Sequence, residues 1–327
     1  MNYLSKNQRY TLLKLNNDIT SLQDVREKIL VRTYTDPLNI KNIPDGTPED
    51  ERTFLYKWNN ISDIEEIIFE DCSKTFSYIK VTASCEFSTR RVWDPAIENT
   101  LLPKEERLNT SKIDVVFVHF NEDLYAVVFS VEFYELRRVK RLAGETFLEP
   151  LSSKHQTDSE LFHWLFYKYI KEEFNLSDDI NLDNINGFTG TVISEENLFE
   201  GKSLQTAELI ITKAFITNGY PITSIKIDLQ MSNAAINFYL NEISDGKELR
   251  IVVQKNSNIS TMLNSEDVEY IIPIYVFFYL IPEIVRLYKI DERVFLSGAK
   301  TNFLSEIGIE VIKTIIAKNN ISIDDIV

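Results

Sequence analysis

The sequence has little glycine, proline, cysteine or histidine. Glycine and proline number 9 each in 327 residues, fewer than a Rossmann or P-loop enzyme of this size usually needs for its close backbone turns. The two cysteines, Cys72 and Cys85, cannot build a disulfide framework, and together with three histidines they are too few to indicate a zinc site. We therefore expect no bound cofactor, and two buried thiols in a protein of the reducing cytoplasm.

Positive charge is also scarce. Lysine and arginine total 35 against 50 aspartates and glutamates, which gives a formal net charge of −15. Broad binding to DNA or to anionic membranes depends on many surface cations, so this composition leaves room only for a local basic patch or a basic partner. The longest apolar run, residues 271–282, is too short to span a bilayer and contains Pro273 and Pro282. It predicts a core helix, and we expect no membrane partner.

Hydrophobic residues nevertheless make up 44% of the chain, enough for a sizeable core in a globular protein. The clearest structural signal is a β-hairpin at residues 111–134. Two runs rich in valine and phenylalanine, residues 111–120 and 124–134, flank three polar residues. Both faces of each run are mostly apolar, which predicts strands in the interior of a mixed or antiparallel sheet.

The remaining patterns predict an α+β fold in two domains. The first, residues 1–177, contains the hairpin, and its segment 51–71 is expected to be mainly helical. The second, residues 178–327, begins within an acidic, loop-like segment and contains a β-meander closed by C-terminal helices. The meander strands are predicted at 223–231, 234–243 and 248–254, and the helices at 266–290 and 303–318. The residues of the last helix expected to face inward are Leu304, Ile307, Val311, Ile312 and Ile315.

A basic segment follows the hairpin. Leu136, Val139 and Leu142 recur at the spacing of one helical face. The same helix carries four cations, Arg137, Arg138, Lys140 and Arg141. Arginine binds phosphate or carboxylate through two parallel hydrogen bonds, so these residues, with Arg90 and Arg91, are candidates for contacting nucleic acid or another anion. The alternative is a solvated helix face that balances neighbouring carboxylates.

An acidic stretch occupies residues 171–210. It holds nine carboxylates and two lysines, a charge of −7 that is close to half of the total surplus. The stretch predicts either a docking site for a basic partner or a solvated loop.

Two carboxylates give a catalytic alternative. Asp114 on the first hairpin strand and Glu132 on the second are expected to come together and hold Mg²⁺, as in a restriction-type nuclease. Such nucleases place a lysine two positions after the glutamate, where this chain has Tyr134. The nuclease would therefore be degenerate, and the simpler interpretation of Asp114 and Glu132 is a structural role at the ends of strands.

We therefore predict a cytoplasmic binding or scaffolding protein without catalysis, which contacts nucleic acid or an acidic protein partner through the basic segment. Motif-poor proteins of this kind are typical of accessory components of prokaryotic antiviral-defence or mobile-element systems, and this role is a second expectation. The alternatives are the Mg²⁺-dependent nuclease centred on Asp114 and Glu132 and a subunit of a larger assembly, including an oligomer of this chain.

Overall fold

The computed structural model describes residues 2–38, 40, 43–69, 74–192, 197–243, 246–260 and 268–322 of the chain. Its strands are, in chain order, β1 (Asn2–Tyr3), β2 (Gln8–Leu15), β3 (Thr33–Pro37), β4 (Thr53–Asn59), β5 (Glu65–Phe69), β6 (Lys74–Ser88), β7 (Leu108–Phe120), β8 (Asp123–Val128), β9 (Leu148–Glu149), β10 (Asn181–Val192), β11 (Asn197–Lys202), β12 (Ile222–Gln230), β13 (Ala234–Asn241), β14 (Glu248–Val253) and β15 (Asn258–Ile259). Its helices are α1 (Leu22–Asp24), α2 (Lys104–Arg107), α3 (Phe133–Ala143), α4 (Ser159–Ile170), α5 (Ile210–Thr217), α6 (Val268–Tyr275), α7 (Ile281–Val294) and α8 (Lys300–Asn319). Turns of π-helix continue α1, α6 and α7, at Val25–Ile29, Val276–Leu280 and Phe295–Ala299.

These elements confirm the predicted α+β class, with antiparallel strand pairing and a long C-terminal helix. The chain forms two compact units. Residues 9–150 form the first, which we call the hairpin unit, and residues 1–8 with 151–327 form the second, the meander unit. The predicted domain boundary between residues 177 and 178 falls inside the meander unit, in the connection between α4 and β10.

The predicted hairpin lies at the centre of the hairpin unit's sheet. The strand order is β2-β8-β7-β6-β4-β3, with β9 on β2 and β5 on β6, and every pairing is antiparallel. Phe120 pairs with Asp123 across a tight turn in which Asn121 has a φ of +57°, a conformation that asparagine tolerates well. Val115, Val116, Phe117 and Val118 are all 0% exposed, so both faces of β7 are buried as the sequence predicts.

The second hairpin strand ends at Val128, so its predicted extension to residue 134 was wrong. Local hydrogen bonds turn the chain into α3 instead. The hydroxyl of Ser130 accepts from the backbone N–H of Glu132 at 3.0 Å and donates to the Glu135 carboxylate at 2.6 Å. Side-chain bonds of this kind to nearby backbone compete with the ladder of a sheet and favour the start of a helix.

One face of this sheet packs against α3 and the π turn that follows α1. The helix contributes Leu136, Val139 and Leu142, each at most 2% exposed, to a core cluster that includes Val115 and Phe117. Fully burying one such side chain is worth ~1.5–3 kcal/mol. This apolar stripe therefore fixes the direction in which the opposite, cationic side of α3 points.

Of the segment 51–71, predicted to be mainly helical, the described residues 51–69 contain the strands β4 and β5, so this prediction was wrong. In β4 the aromatic residues alternate: Tyr56 and Trp58 are 2% and 7% exposed, and Lys57 between them is exposed. This period of two is the pattern of a strand with one buried face. Aromatic side chains also favour a sheet because they pack well on a pleated surface.

The meander unit contains the predicted three-stranded meander β12-β13-β14, which is thereby confirmed. Its sheet continues from β12 through β10 to β11, and β15 joins β13 on the other side, with β1 beyond it. Along β12 the buried Ile225, Ile227 and Leu229 alternate with the half-buried Lys226 and Asp228. The sheet therefore has one apolar face and one polar face.

The helices α6, α7 and α8 follow one another with only π turns between them and confirm the predicted helical end. A π turn directly precedes α7, where the missing N–H of Pro282 disfavours a regular α-helical turn. On α8, Ile307 and Val311 are buried as predicted, whereas Ile312 and Ile315 are 56% and 43% exposed, so for these two the prediction was wrong. The helix packs against α5 along a narrow stripe, which leaves no room for them.

The run Val268–Asn319 contains an 18-residue stretch that is apolar enough to cross a membrane by composition alone. Within the protein, 78% of that stretch is buried. A helix in the core of a globular protein satisfies the same criterion of length and hydropathy.

Candidate nucleic-acid interface

Four residues of α3 form one stripe on the side away from the core. Tyr134, Arg137, Arg138 and Arg141 are spaced three and four residues apart, which places them on the same helical face. They line a cavity of about 510 Å³ between α3 and the ends of β3 and β4. The other lining residues are Asp36, Pro37, Leu38, Phe54 and Tyr56.

The only carboxylate among the lining residues is already neutralised. Asp36 forms an ion pair with the guanidinium of Arg141 and accepts a hydrogen bond from the Tyr56 hydroxyl at 3.1 Å. Burial, followed by the nearby Asp36 charge, raises the pKa of Tyr56 to about 12, so this hydroxyl stays protonated and able to donate. Arg141 also lies 5.8 Å from the centre of the Tyr34 ring, which stacks on Tyr56 with a ring separation of 5.7 Å.

The other two arginines of the stripe have no carboxylate partner among the residues that the structure describes. Arg138 is half-buried and lies 5.1 Å from the centre of the Phe87 ring, a cation–π contact that holds the guanidinium without neutralising it. Arg137 is exposed. Three arginines against one aspartate leave two uncompensated positive charges in the cavity, within a chain whose net charge is −15.

The acidic residues at the start of α3 are held by other groups. Glu135 accepts hydrogen bonds from the hydroxyls of Ser111 and Ser130 at 2.8 and 2.6 Å. Glu132 forms an ion pair with Arg9 at 2.9 Å. Neither carboxylate pairs with an arginine of the stripe in any described contact, so the arginines keep their capacity to bind an external anion.

Exposed aromatic rings border the arginines. Phe133 and Tyr134 are 63% and 67% exposed, and their rings meet edge to face at 5.4 Å. Burying such exposed aromatic rings is favourable, and in the folded protein a bound ligand can bury them. The first turn of α3 therefore combines a ring surface with a guanidinium surface.

The remaining cations of the predicted patch lie elsewhere. Lys140 is on the same helix but is not among the residues that line the cavity. Arg90 and Arg91 are exposed beyond the end of β6, and no contact in the described part of the chain joins them to α3. Three arginines of the predicted six-residue patch thus share one cavity, and anion binding by any of the six residues stays a prediction.

The two carboxylates of the predicted nuclease site do not lie on neighbouring strands, so this arrangement was wrong. Asp114 is on β7, where it accepts a hydrogen bond from Thr82 at 2.9 Å. Its neighbours Ile113 and Val115 belong to the core under α3, so its side chain points to the opposite face of the sheet. Glu132 directly precedes the first residue of α3, so it lies on the face of the sheet that this helix covers. Among the described residues, no group of three or more histidines, cysteines, aspartates and glutamates is arranged to hold a metal ion.

The two wall strands of the cavity are the part of the site that the sequence reasoning missed. Tyr34 and Asp36 lie on β3, and Phe54 and Tyr56 lie on β4, within the segment predicted to be mainly helical. The alternation of aromatic residues along β4 was the available signal. Nothing local in the sequence indicates that Asp36 and Arg141 form a pair.

Of the predicted acidic stretch, Glu195 and Glu196 lie outside the described residues. Glu173 forms an ion pair with Lys168 on α4 at 2.7 Å. Docking of a basic partner to this stretch stays a prediction. Neither a family model nor a curated protein matches the chain.

Proposed function

We propose that the chain is a binding protein for single-stranded nucleic acid, and that the cavity beside α3 is its binding site. The observation that carries the proposal is the pair Arg137 and Arg138, two cations without a described carboxylate partner, beside the exposed rings of Phe133 and Tyr134. Proteins that bind single strands combine cations that hold phosphates with aromatic rings on which bases stack. Both parts are present within the first two turns of α3.

A single strand fits this site better than a duplex. Bases can stack on a protein ring only when they are unpaired, because a duplex buries their faces. A duplex also carries a dense charge that the remaining surface of a protein with a net charge of −15 would repel. The cavity of about 510 Å³ is in the range of sites that hold a small organic molecule, which suits one nucleotide unit.

The test is binding of a fluorescein-labelled oligo(dT) or oligo(U) of about ten nucleotides, followed by anisotropy. Arg137→Glu/Arg138→Glu should weaken binding at least ~10-fold, because each reversal removes one phosphate contact and adds one repulsion. Lys313→Glu/Lys318→Glu on α8 is the matched control, since it changes the net charge equally at two exposed positions. Equal loss in both variants, or no binding by the natural protein at about 50 mM salt, would contradict the proposal.

Competition separates the related outcomes. Unlabelled single strand should displace the probe, whereas the same length of duplex or an acidic peptide should do so only at much higher concentration. Efficient displacement by the peptide alone would favour an acidic protein partner instead. The proposal is for binding without cleavage, so the oligonucleotide should be recovered at full length in the presence of Mg²⁺. A place in a prokaryotic antiviral-defence or mobile-element system stays a prediction, which the neighbouring genes would check.

A further inference from the structure

A second polar cluster lies on the polar face of the meander unit's sheet. Three neighbouring strands bring its residues together: Asn184 on β10 pairs with Asp228 on β12, and Asp228 pairs with Asn237 on β13. A register shift between Ile185 and Gly187 marks a bulge in β10 beside Asn186. The Asn186 amide nitrogen donates to a carboxylate oxygen of Asp228 at 2.8 Å. Four side chains with amide or carboxylate oxygens are thus adjacent.

The hydrogen-bond donors of this cluster are used, but its acceptors are not. Asn184 donates its amide to the carbonyl oxygen of Leu204 at 2.8 Å, and the side-chain amides of Asn186 and Asn237 both bond to the Asp228 carboxylate. One side-chain oxygen each of Asn184, Asn186 and Asn237 is buried and has no hydrogen-bond donor in the described part of the chain. A buried acceptor without a partner is unfavourable, and three of them beside a carboxylate call for a ligand that is positively charged or carries only donors.

Burial decides between a small ion and a larger organic cation. Asn186 is only 6% exposed, and the four oxygens have almost no surface open to water. A guanidinium or ammonium group is at least as large as a water molecule and could not reach them from outside. A bare metal ion is smaller and sits 2.3–2.6 Å from oxygen ligands in the case of Ca²⁺. Amide and carboxylate oxygens are also the donors that hard cations prefer.

Charge around the cluster is mixed. Asp228 and Asn237 line a cavity of about 250 Å³, which Asp183 and Lys255 also line. Lys226 is two residues before Asp228 on β12. In the described contacts the Asp228 carboxylate bonds to side-chain amides and forms no ion pair with either lysine, so a bound cation would neutralise it.

We propose that Asn184, Asn186, Asp228 and Asn237 form a binding site for a hard divalent cation, with Ca²⁺ preferred over Mg²⁺. Calcium accepts irregular sets of six to eight oxygens, including side-chain amides, whereas magnesium requires near-ideal octahedral geometry. Oxygens distributed over three strands, one of which has a bulge, can form such an irregular set but not a near-ideal octahedron. Waters and Asp183 would complete the coordination. This site is independent of the nucleic-acid interface on the hairpin unit.

The experiment is calorimetric titration of the EDTA-treated, dialysed full chain with CaCl₂ and, separately, MgCl₂. Asp228→Asn should weaken calcium binding at least ~10-fold, because it removes the one carboxylate of the cluster while keeping an oxygen that accepts from Asn186. Its unfolding temperature without calcium should not fall, since the change also removes a buried charge. Asp178→Asn, in the exposed segment before β10, is the matched control and should bind calcium like the natural protein.

A gain of affinity makes the test independent of any defect in folding. Asn237→Asp adds a second carboxylate to the cluster and should tighten calcium binding by about 10-fold, because affinity rises with the charge of the ligand set. The proposal is overturned if the natural protein binds no calcium up to about 10 mM, beyond the weakest protein sites. It is also overturned if Mg²⁺ binds as tightly as Ca²⁺, or if both Asp228→Asn and Asn237→Asp leave the affinity unchanged.

Discussion

At the scale of single residues, the three arginines of the cavity differ in what they can offer a ligand. Arg141 is committed to Asp36, so its guanidinium serves mainly to neutralise that carboxylate. Arg138 is oriented by the Phe87 ring at 5.1 Å but keeps its full charge. Arg137 is exposed and keeps its side-chain freedom. A guanidinium that is already held loses less conformational entropy on binding, so Arg138 is the position where an anion gains most.

His163 on α4 makes stability depend on pH. Its Nδ1 donates to the carbonyl oxygen of Ser159 at 2.8 Å, its Nε2 has no partner in the described structure, and the ring is 1% exposed. Burial lowers its pKa below the ordinary value of 6.5, with Ser159, Lys300 and Glu160 as the nearby groups. The unfolded chain then binds the proton more readily than the folded one. Stability from this residue is therefore complete above about pH 6.5 and is lost as the pH falls below it.

We expect the free energy of unfolding of the natural protein, measured with urea, to decrease as the pH is lowered from about 7.5 to about 5.5. The decrease is up to ~1.4 kcal/mol per pH unit for one proton. His163→Leu should remove most of this dependence, because it deletes the group that must be charged in the unfolded state. His119→Gln on β7 is the control and should retain the dependence. An undiminished slope in His163→Leu would assign the effect to other groups.

At the scale of elements, the sequence predicts best where one period runs through a long segment. The hairpin, α3 and the meander were found in this way, since their apolar residues repeat over six or more positions. Short strands with polar neighbours were missed, as β4 and β5 show, because alternation over only five to seven residues, although present in β4, is a weak signal against a period of 3.6. The end of β8 was also missed, since it depends on the hydroxyl of Ser130 rather than on hydrophobicity.

Gly190 on β10 is an element-scale requirement that composition does not reveal. A Cβ atom at this position would lie 2.7 Å from the backbone oxygen of Pro221 and would overlap the Phe215 ring. We expect Gly190→Ala to lower the free energy of unfolding by ~1–3 kcal/mol, as overpacking does in other cores. Gly187→Ala on the same strand is the comparison, because its nearest neighbour, the Lys226 Cβ, is 3.3 Å away and has to move by only a few tenths of an ångström.

Urea unfolding of both glycine variants, without added calcium, measures the difference. Gly187→Ala should cost less than ~1 kcal/mol, since a contact of that length needs only a small adjustment. Equal destabilisation of the two variants would show that the close approach to Pro221 is not the cause, because the reduced freedom of the unfolded chain favours folding in both.

At the scale of the whole molecule, both candidate sites are assembled from segments that are distant in the chain. The arginine cavity combines β3 and β4 with α3, and the oxygen cluster combines β10, β12 and β13. The sequence identified the arginines because they lie close together on one helix, but it could not place Asp36 beside Arg141. The four oxygens were not predicted at all, because isolated asparagines carry no local signal and only strand register brings them together.

The net charge of −15 sets the expected salt dependence of nucleic-acid binding. The proposed phosphate contacts are Arg137 and Arg138, the two cavity arginines without a described carboxylate partner. Each contact with a single strand contributes a slope of about −0.7 when the logarithm of the association constant is plotted against that of salt concentration. We expect a slope of about −1.4, much shallower than that of broadly basic proteins, and Arg137→Gln should make it shallower by about 0.7. Lys313→Gln on α8 should leave it unchanged. A slope steeper than about −4 that Arg137→Gln does not alter would place the phosphate contacts on another surface, because three arginines cannot release that many counterions.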